Sequence, residues 1–417
     1  MPLLAQSVAG FASSPGVRAC SGWFQRERNW INDQHLQVCR IPAPTFFEQK
    51  RAEWMAERFR ALGWDAKLDR AGNVVATLAG RRETPSVAVT AHLDTVLAPR
   101  SPDEVRFANE GRLVGPGVAD NGAGLAALLA LAAAWIATPP LEDADLAPVL
   151  VANVGEEGEG NLSGMRYLCR PVSGARPRAF LVLDGPSTEH ITSEALASRR
   201  FDVTVTGPGG HSWRDHGMGN PVHALSHAVT MFTEQAAELE DSHDAPDPAL
   251  QSMLEPLRLS FNVGVIEGGS SVNSIPTEAR AKIDLRSESV ERIEQMAALL
   301  AAAVERAVER ENARGIGGRL SARMKEIGSR PSGSLAPGAP ILEYIRAVDT
   351  HLGIRSHLDC SSTDANIPLS LGLPAISIGA GGQGGGAHTP AEWFRPEGRE
   401  LGLRRILLTL CLLLSEE

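Results

Sequence analysis

Two histidines and four carboxylates stand where short stretches of this chain give way to glycine or polar residues. They are His92 in VAVTAHLDT, Asp120 in GPGVADNGAG, Glu156 and Glu157 in VLVANVGEEGEG, Asp184 in AFLVLDGP and His388 in ISIGAGGQGGGAHTP. Four of these contexts begin with an apolar, β-branched run that turns as the ligand-type side chain arrives, and the Asp120 context is a glycine-rich loop opening a helix. In an open α/β sheet, sites form in the crevice beyond the carboxyl ends of the strands. A sheet built from these runs therefore brings all six side chains to one crevice. Mixed imidazole and carboxylate donors with room for water suit catalytic zinc or a similar divalent metal.

Taken singly these signals are weak. A lone His92-Leu93-Asp94 is more often a strand-end turn, and an adjacent glutamate pair is usually a solvated face. Their conjunction carries the reading. The glycines before His388 are costly to order and are kept where backbone passes close to something. A divalent metal held by such donors can activate a water and polarise a carbonyl, and a carboxylate beside it can carry the water's proton to a leaving amine. Glu156 and Glu157 are adjacent and point in different directions, so one can ligate while the other faces the water; spacing does not say which.

The order H-x-D at His92–Asp94, the Asp120 loop, the Glu–Glu pair, Asp184 and the late His388 resembles the M20 family of metallo-exopeptidases and deacylases, over nearly the whole chain from about Trp23. The resemblance implies that His92 and Asp184 bind one metal, Glu157 and His388 the other, and that Asp120 bridges them. It implies Glu156 as general base and Asp94 as the group that holds the His92 ring through its other nitrogen. It implies two divalent ions, zinc first, with cobalt or manganese as alternatives. Asp at position 184 and the run GEEGEGNLSGMRYL are more like the peptidase T side of the family. The expected activity is thus an aminopeptidase or dipeptidase hydrolysing an amide bond of a short peptide. One rival is an N-acyl amino acid deacylase using the same site. A rival of another class is a non-catalytic metal- or peptide-binding protein, which a missing base or ligand would favour; none is missing.

Alternating strand and helix patterns position these residues. The stretch Trp23–Leu62 has helical apolar spacing interrupted by IPAPT at 41–45, and its second helix ends at Gly63, a fitting cap. Strands at NVVATLA and SVAVTAH, the apolar helix GLAALLALAAAW and strands VLVANV and AFLVLD come next. The fold class is α/β, a mainly parallel sheet covered by helices on both faces. From about Ala197 the period changes to two, in the order β-α-β-β-α-β, which is ferredoxin-like. The expected organisation is a catalytic domain at 1–196 and 329–417 with an inserted domain at 197–328. In the M20 family such an insert is a lid and often a dimer interface, so a homodimer through the lid is expected. The resemblance also assigns three lid residues: His211 in GPGGHSW and Asn273 in GGSSVNSIP help bind the scissile carbonyl, and Arg286 in AKIDLRS binds a substrate carboxylate. Thr363-Asp364 in SSTDAN has two readings, a contribution to the substrate pocket or a plain helix N-cap. His216, His223 and His227 have no carboxylate sequence partner and read as structural.

A length of 417 residues exceeds what one core serves, in keeping with two domains. The net charge of −10 and the lack of a basic stripe argue against nucleic acid as a partner. Five scattered cysteines without paired spacing favour free thiols in a reducing, cytoplasmic setting. The first 19 residues lack the pattern of a secretory signal and read as a frayed extension. ILLTLCLLL at 406–414 is too short to span a bilayer and reads as a buried terminal helix, with Glu416 and Glu417 on its water side. No membrane partner is expected, and SHDAPDPALQ near 241–251 reads as a polar loop.

Overall fold

The computed structural model describes residues 2–82, 84–108, 111–141, 144–170, 177–241 and 258–415. The loop expected near 241–251 lies, beyond Asp241, outside the described residues, as do Glu416 and Glu417. The chain divides into two compact units, Met1–Ala195 with Gly333–Glu417, and Leu196–Ser332. The resumption falls at Gly333 rather than 329 because the last strand of the second unit, Ser321–Arg330, pairs through Arg330 with Ser198.

The first unit is built on a nine-stranded sheet. Its centre is parallel: Ala147–Asn153, Ser86–His92, Pro177–Leu183 and Ala375–Ile378 lie side by side in that order. Two antiparallel strands, Asp65–Leu68 and Val74–Thr77, extend one edge. Ser86–His92 and Ala147–Asn153 are buried at every position, as their continuous apolar runs require in a sheet covered on both faces. Helix Gly122–Ala137 is almost wholly buried, and so is the terminal helix Arg399–Leu414 that contains ILLTLCLLL. Among the described residues no helix is long and apolar enough to cross a membrane.

The expected frayed amino terminus is corrected. Pro2–Ser13 and Pro15–Arg26 are helices, the second capped by Ser14, and Val8, Val17, Cys20 and Phe24 are buried in the main core. The reason is spacing: Val17, Cys20 and Phe24 recur at three and four residues, which gives the helix a single apolar stripe.

The second unit has the strand order Leu259–Gly268, Glu278–Ser287, Ala197–Thr206, Ser321–Arg330, all antiparallel. Helices Pro221–Asp241 and Val290–Arg314 pack on one face around its own apolar core. Inward Phe201, Val203 and Val205 alternate with polar Asp202 and Thr204. His223 does have a carboxylate neighbour, Glu311 of the other helix at 3.7 Å, which no local spacing reveals.

Candidate metal centre

All of the ligand-type side chains but Asp120 are delivered by the carboxyl end of a central strand or the loop beyond one. His92 ends Ser86–His92; Glu156 and Glu157 come after Ala147–Asn153; Asp184 comes after Pro177–Leu183; His388 lies ten residues beyond Ala375–Ile378. Asp120 immediately precedes Asn121, the N-cap of helix Gly122–Ala137. The side chains converge as three groups whose ligand atoms lie within 4.8 Å of one another: His92, Asp120 and Asp184; Asp120, Glu157 and His388; and His92, Glu156 and Glu157.

Asp120 stands between the first two groups. Its Oδ1 accepts from Nε2 of His92 at 3.0 Å and its Oδ2 from Nε2 of His388 at 3.1 Å. One carboxylate thus offers its two oxygens to two different histidines. His388 also donates to Oε1 of Glu157 at 2.9 Å, and Asp184 Oδ1 lies 4.0 Å from His92 Nε2. Glu156 shares a group with His92 and Glu157 but not with Asp120 and His388.

Asp94 does more than the expected orientation of His92. The closest partner of the His92 Nδ1–H is the Asp94 backbone carbonyl, at 2.9 Å, with the carboxylate at 3.5 Å. The Asp94 carboxylate is taken up by three donors: the backbone N–H groups of Glu156 and Glu157, at 3.0 and 2.9 Å, and the Thr45 hydroxyl at 3.0 Å. A fully buried aspartate therefore sets the turn that aims both glutamates. Gly155, just before them, has φ +67°, and a side chain there would meet the Ser163 hydroxyl, so the turn needs glycine.

The Asp120 loop is pinned by a residue that sequence reasoning missed. Glu392 is buried and accepts the backbone N–H groups of Gly117, Ala119 and Asp120 at 2.7, 2.8 and 2.9 Å. The Asn121 side chain donates to the Leu183 carbonyl at 2.7 Å and accepts from the Gly124 and Gly185 N–H groups, tying the loop to the Asp184 strand. The Asp120–Asn121 peptide is cis. Behind the loop, His35 Nε2 donates to the Val118 carbonyl at 2.7 Å while Arg399 donates to its Nδ1 at 2.7 Å. Burial and the Arg399 charge hold His35 neutral, with its pKa well below the usual histidine value. The only local hint of Glu392 is its place four residues after His388; its partners lie more than 270 residues away. The expected cap at Thr363-Asp364 is corrected: helix Asn366–Ser370 has Ala365 at its N-cap and no side-chain cap. Thr363 and Asp364 are buried just before it, Thr363 Oγ1 accepting the Ala365 N–H and Asp364 accepting from Asn153, at the end of a central strand.

The electrostatics are those of a centre built around cations. Burial works against charge on His92, yet its hydrogen bonds to Asp120 and Asp94 raise its pKa well above the usual value. Hydrogen bonds to Asp120 and Glu157 lift His388 to about 10. Burial also opposes ionisation of Asp120, but the hydrogen bonds from His388 and His92 hold it far below the usual carboxylate range. Burial, then the Asp120 charge, pushes Asp184 up to about 7. The cluster therefore holds protons on His92, His388 and Asp184 that divalent ions would displace. The donor set fits such ions: imidazole and carboxylate at short range, with the Nδ1–H of His92 already satisfied by a carbonyl.

The residues assigned to the second unit are placed differently. His211 lies in the two-residue strand Gly210–His211, paired with Ser274–Ile275, and the Ser212 N–H donates to the Asn273 carbonyl at 3.0 Å. The fold of this unit thus brings His211 and Asn273 together on one exposed ribbon. Arg286 is near the far end of strand Glu278–Ser287, where its Nε donates to Asp284 at 2.6 Å.

The peptidase dimerisation domain of the M20 type matches residues 197–312, and peptidase family M28 matches residues 73–206. The chain is similar to the uncharacterized protein YqjE of Bacillus subtilis, 24% identical over 84% of this chain and 89% of that one. It is also similar to the succinyl-diaminopimelate desuccinylase of Ruegeria pomeroyi, 26% identical over 53% of this chain; the match spans 57% of that relative's length. A tripeptidase from Staphylococcus aureus shares the fold, with a TM-score of 0.69 and 18% identity over 93% of this chain and 98% of that one.

Proposed function

We propose, from the premise that this chain belongs to the M20 family of metallopeptidases, that it is a metal-dependent exopeptidase releasing a terminal residue from a short peptide. The observation that carries the reading is the convergence of His92, Asp120, Glu157, Asp184 and His388 around one shared carboxylate, with Glu156 beside them. His92 and Asp184 would hold one ion and Glu157 and His388 the other, with Asp120 shared between the two groups. Zinc fits the donor set, with cobalt or manganese as substitutes. When bound, the ions supply an activated water and a polarised carbonyl.

The chain's own residues do the rest. Glu157 shares its group with Asp120 and His388, which leaves Glu156 to accept the water's proton and deliver it to the leaving amine. Asp94 holds both glutamates by their backbone N–H groups, so ligand and base keep a set separation. His211 and Asn273 are the proposed donors to the developing oxyanion, and Arg286 the proposed partner of a substrate carboxylate. A homodimer through the second unit is supported by its strand Leu259–Gly268, which among the described residues is an edge strand and exposes Val265 and Ile266. Five free cysteines support a cytoplasmic location.

The desuccinylase relative keeps N-acyl amino acid hydrolysis as the second reading. Metal analysis with a screen over di- and tripeptides and N-acetyl amino acids tests both. Two divalent ions per chain and preferential peptide turnover are expected; turnover confined to N-acyl substrates replaces the first reading by the second, and a chain that hydrolyses neither leaves only a binding role.

A further inference from the structure

The turn Pro44–Glu48 carries two side chains that the metal chemistry leaves unused. Phe46 and Phe47 are 64% and 73% exposed. Single exposed apolar residues need no explanation, but adjacent phenylalanines on one tight turn make a patch. Phe46 also sits at φ +75°, the left-handed region in which a bulky residue is an outlier. Glycine or asparagine would hold the same turn without that cost.

Glu48, a buried carboxylate, holds the turn there. Its Oε1 accepts the Phe46 N–H at 3.0 Å and the Gly155 N–H at 3.2 Å. The backbone of Phe46 and that of the residue preceding Glu156 are thus fastened to one oxygen. Thr45 donates to the Asp94 carboxylate, the same group that holds Glu156 and Glu157, and Pro44 bridges to Thr95. The turn therefore belongs to the hydrogen-bond frame of the catalytic glutamates and presents two phenylalanine rings to water. Held strain clusters at ligand clamps, and the fold itself gains little from either exposed ring.

We infer that Phe46 and Phe47 form an apolar subsite at the rim of the metal crevice that receives an apolar side chain of the substrate, of the leucine or phenylalanine class. Which bond is cut rests on the proposed exopeptidase function; the presence of the subsite does not. The test uses the full, metal-loaded chain. Calorimetry measures binding of L-phenylalanine and L-serine, and kcat/KM is compared over matched leucine and serine members of the peptide and N-acetyl series. The native chain is expected to prefer the apolar member in both. Phe46→Asn with Phe47→Ser is expected to lower that preference about ten-fold, the scale of a lost apolar contact in a specificity pocket. Phe46→Asn alone is expected to hold or raise Tm, because asparagine tolerates the left-handed turn, whereas a purely structural Phe46 would lower Tm and leave selectivity unmoved. Equal losses for apolar and polar ligands overturn the subsite, as does a changed oligomeric state with unchanged preference. Preferential phenylalanine binding without peptide hydrolysis supports the subsite and overturns the peptidase reading.

Discussion

The metal crevice of the first unit and the His211 ribbon of the second are assembled in opposite ways. In the crevice, His92, Asp94, Glu156 and Glu157 are buried, and the Asp120 loop is held by three backbone hydrogen bonds to Glu392. His211 sits on an exposed ribbon of two short strands, its N–H held by Asp215 at 2.7 Å. The crevice concentrates charge over a buried floor, with the His388 ring half-exposed, so its geometry must be set in advance and each deviation is expensive. The ribbon carries an exposed imidazole whose Nδ1 accepts the Trp213 and Arg214 N–H groups, so its remaining chemistry depends on what it meets. Substitutions in the crevice should therefore separate metal binding from proton transfer, and substitutions on the ribbon should leave the metals alone.

The largest effect is expected from Glu156→Gln, which should lower kcat by about 10²–10⁴-fold while both ions stay bound. Near-native turnover at full metal loading would exchange the roles of Glu156 and Glu157. His211→Ala comes next, with a loss of about 10²–10³-fold in kcat and unchanged metal content; metal loss in this variant would erase the contrast between the two regions. The contrast sharpens when these two inactive proteins are mixed. Partial recovery after subunit exchange assigns His211 to the partner's site, and no recovery assigns it to its own chain. Glu392→Gln should weaken metal affinity by about 10–100-fold, measured by competition with a chelator, because the Asp120 loop loses a charged acceptor for three N–H groups. Unchanged affinity would mean that Asn121 and His35 suffice to hold that loop.

The smallest effect is a pH dependence confined to the crevice. In metal-free protein the folded pKa of His388 is raised from 6.5 to about 10, and that of His92 is raised as well. Raised histidines contribute stability that is complete below the unfolded value of about 6.5 and is lost as pH rises through the folded value. Asp184, raised from 3.8 to about 7, works in the same direction over a lower window, from about pH 4 to 7. Tm of chelator-treated protein should therefore fall as pH rises from 6 to 9, and metal should flatten that slope by taking the place of the protons. A slope independent of metal, seen by scanning calorimetry at fixed ionic strength, would place the titrating groups elsewhere.

The apolar runs that end at His92, Asn153, Leu183 and Ile378 were legible as strands because burial on both faces leaves them no polar alternation. The change to period two near Ala197 likewise disclosed a second sheet with one covered face. The amino-terminal helices were misread because the absence of a signal pattern says nothing about an amphipathic stripe, and the stripe at Val17, Cys20 and Phe24 was passed over. Glu48 and Glu392 escaped notice for a different reason. Each is a single acid in an ordinary local context, and each acquires its role only from backbone N–H groups far along the chain.

The sequence by itself thus determined which side chains arrive at strand ends, because local periodicity sets where a strand stops and which residues stand just beyond it. It also determined that two sheets of different character alternate along the chain. Only the tertiary structure decided that both oxygens of Asp120 face histidines 28 residues before and 268 residues after it, and that Glu157 rather than Glu156 joins His388. It also decided that Asp94 spends its carboxylate on the glutamate turn. These are distances between segments remote in the chain. They arise from sheet order and from buried hydrogen bonds that must each find a partner, and no local pattern encodes them.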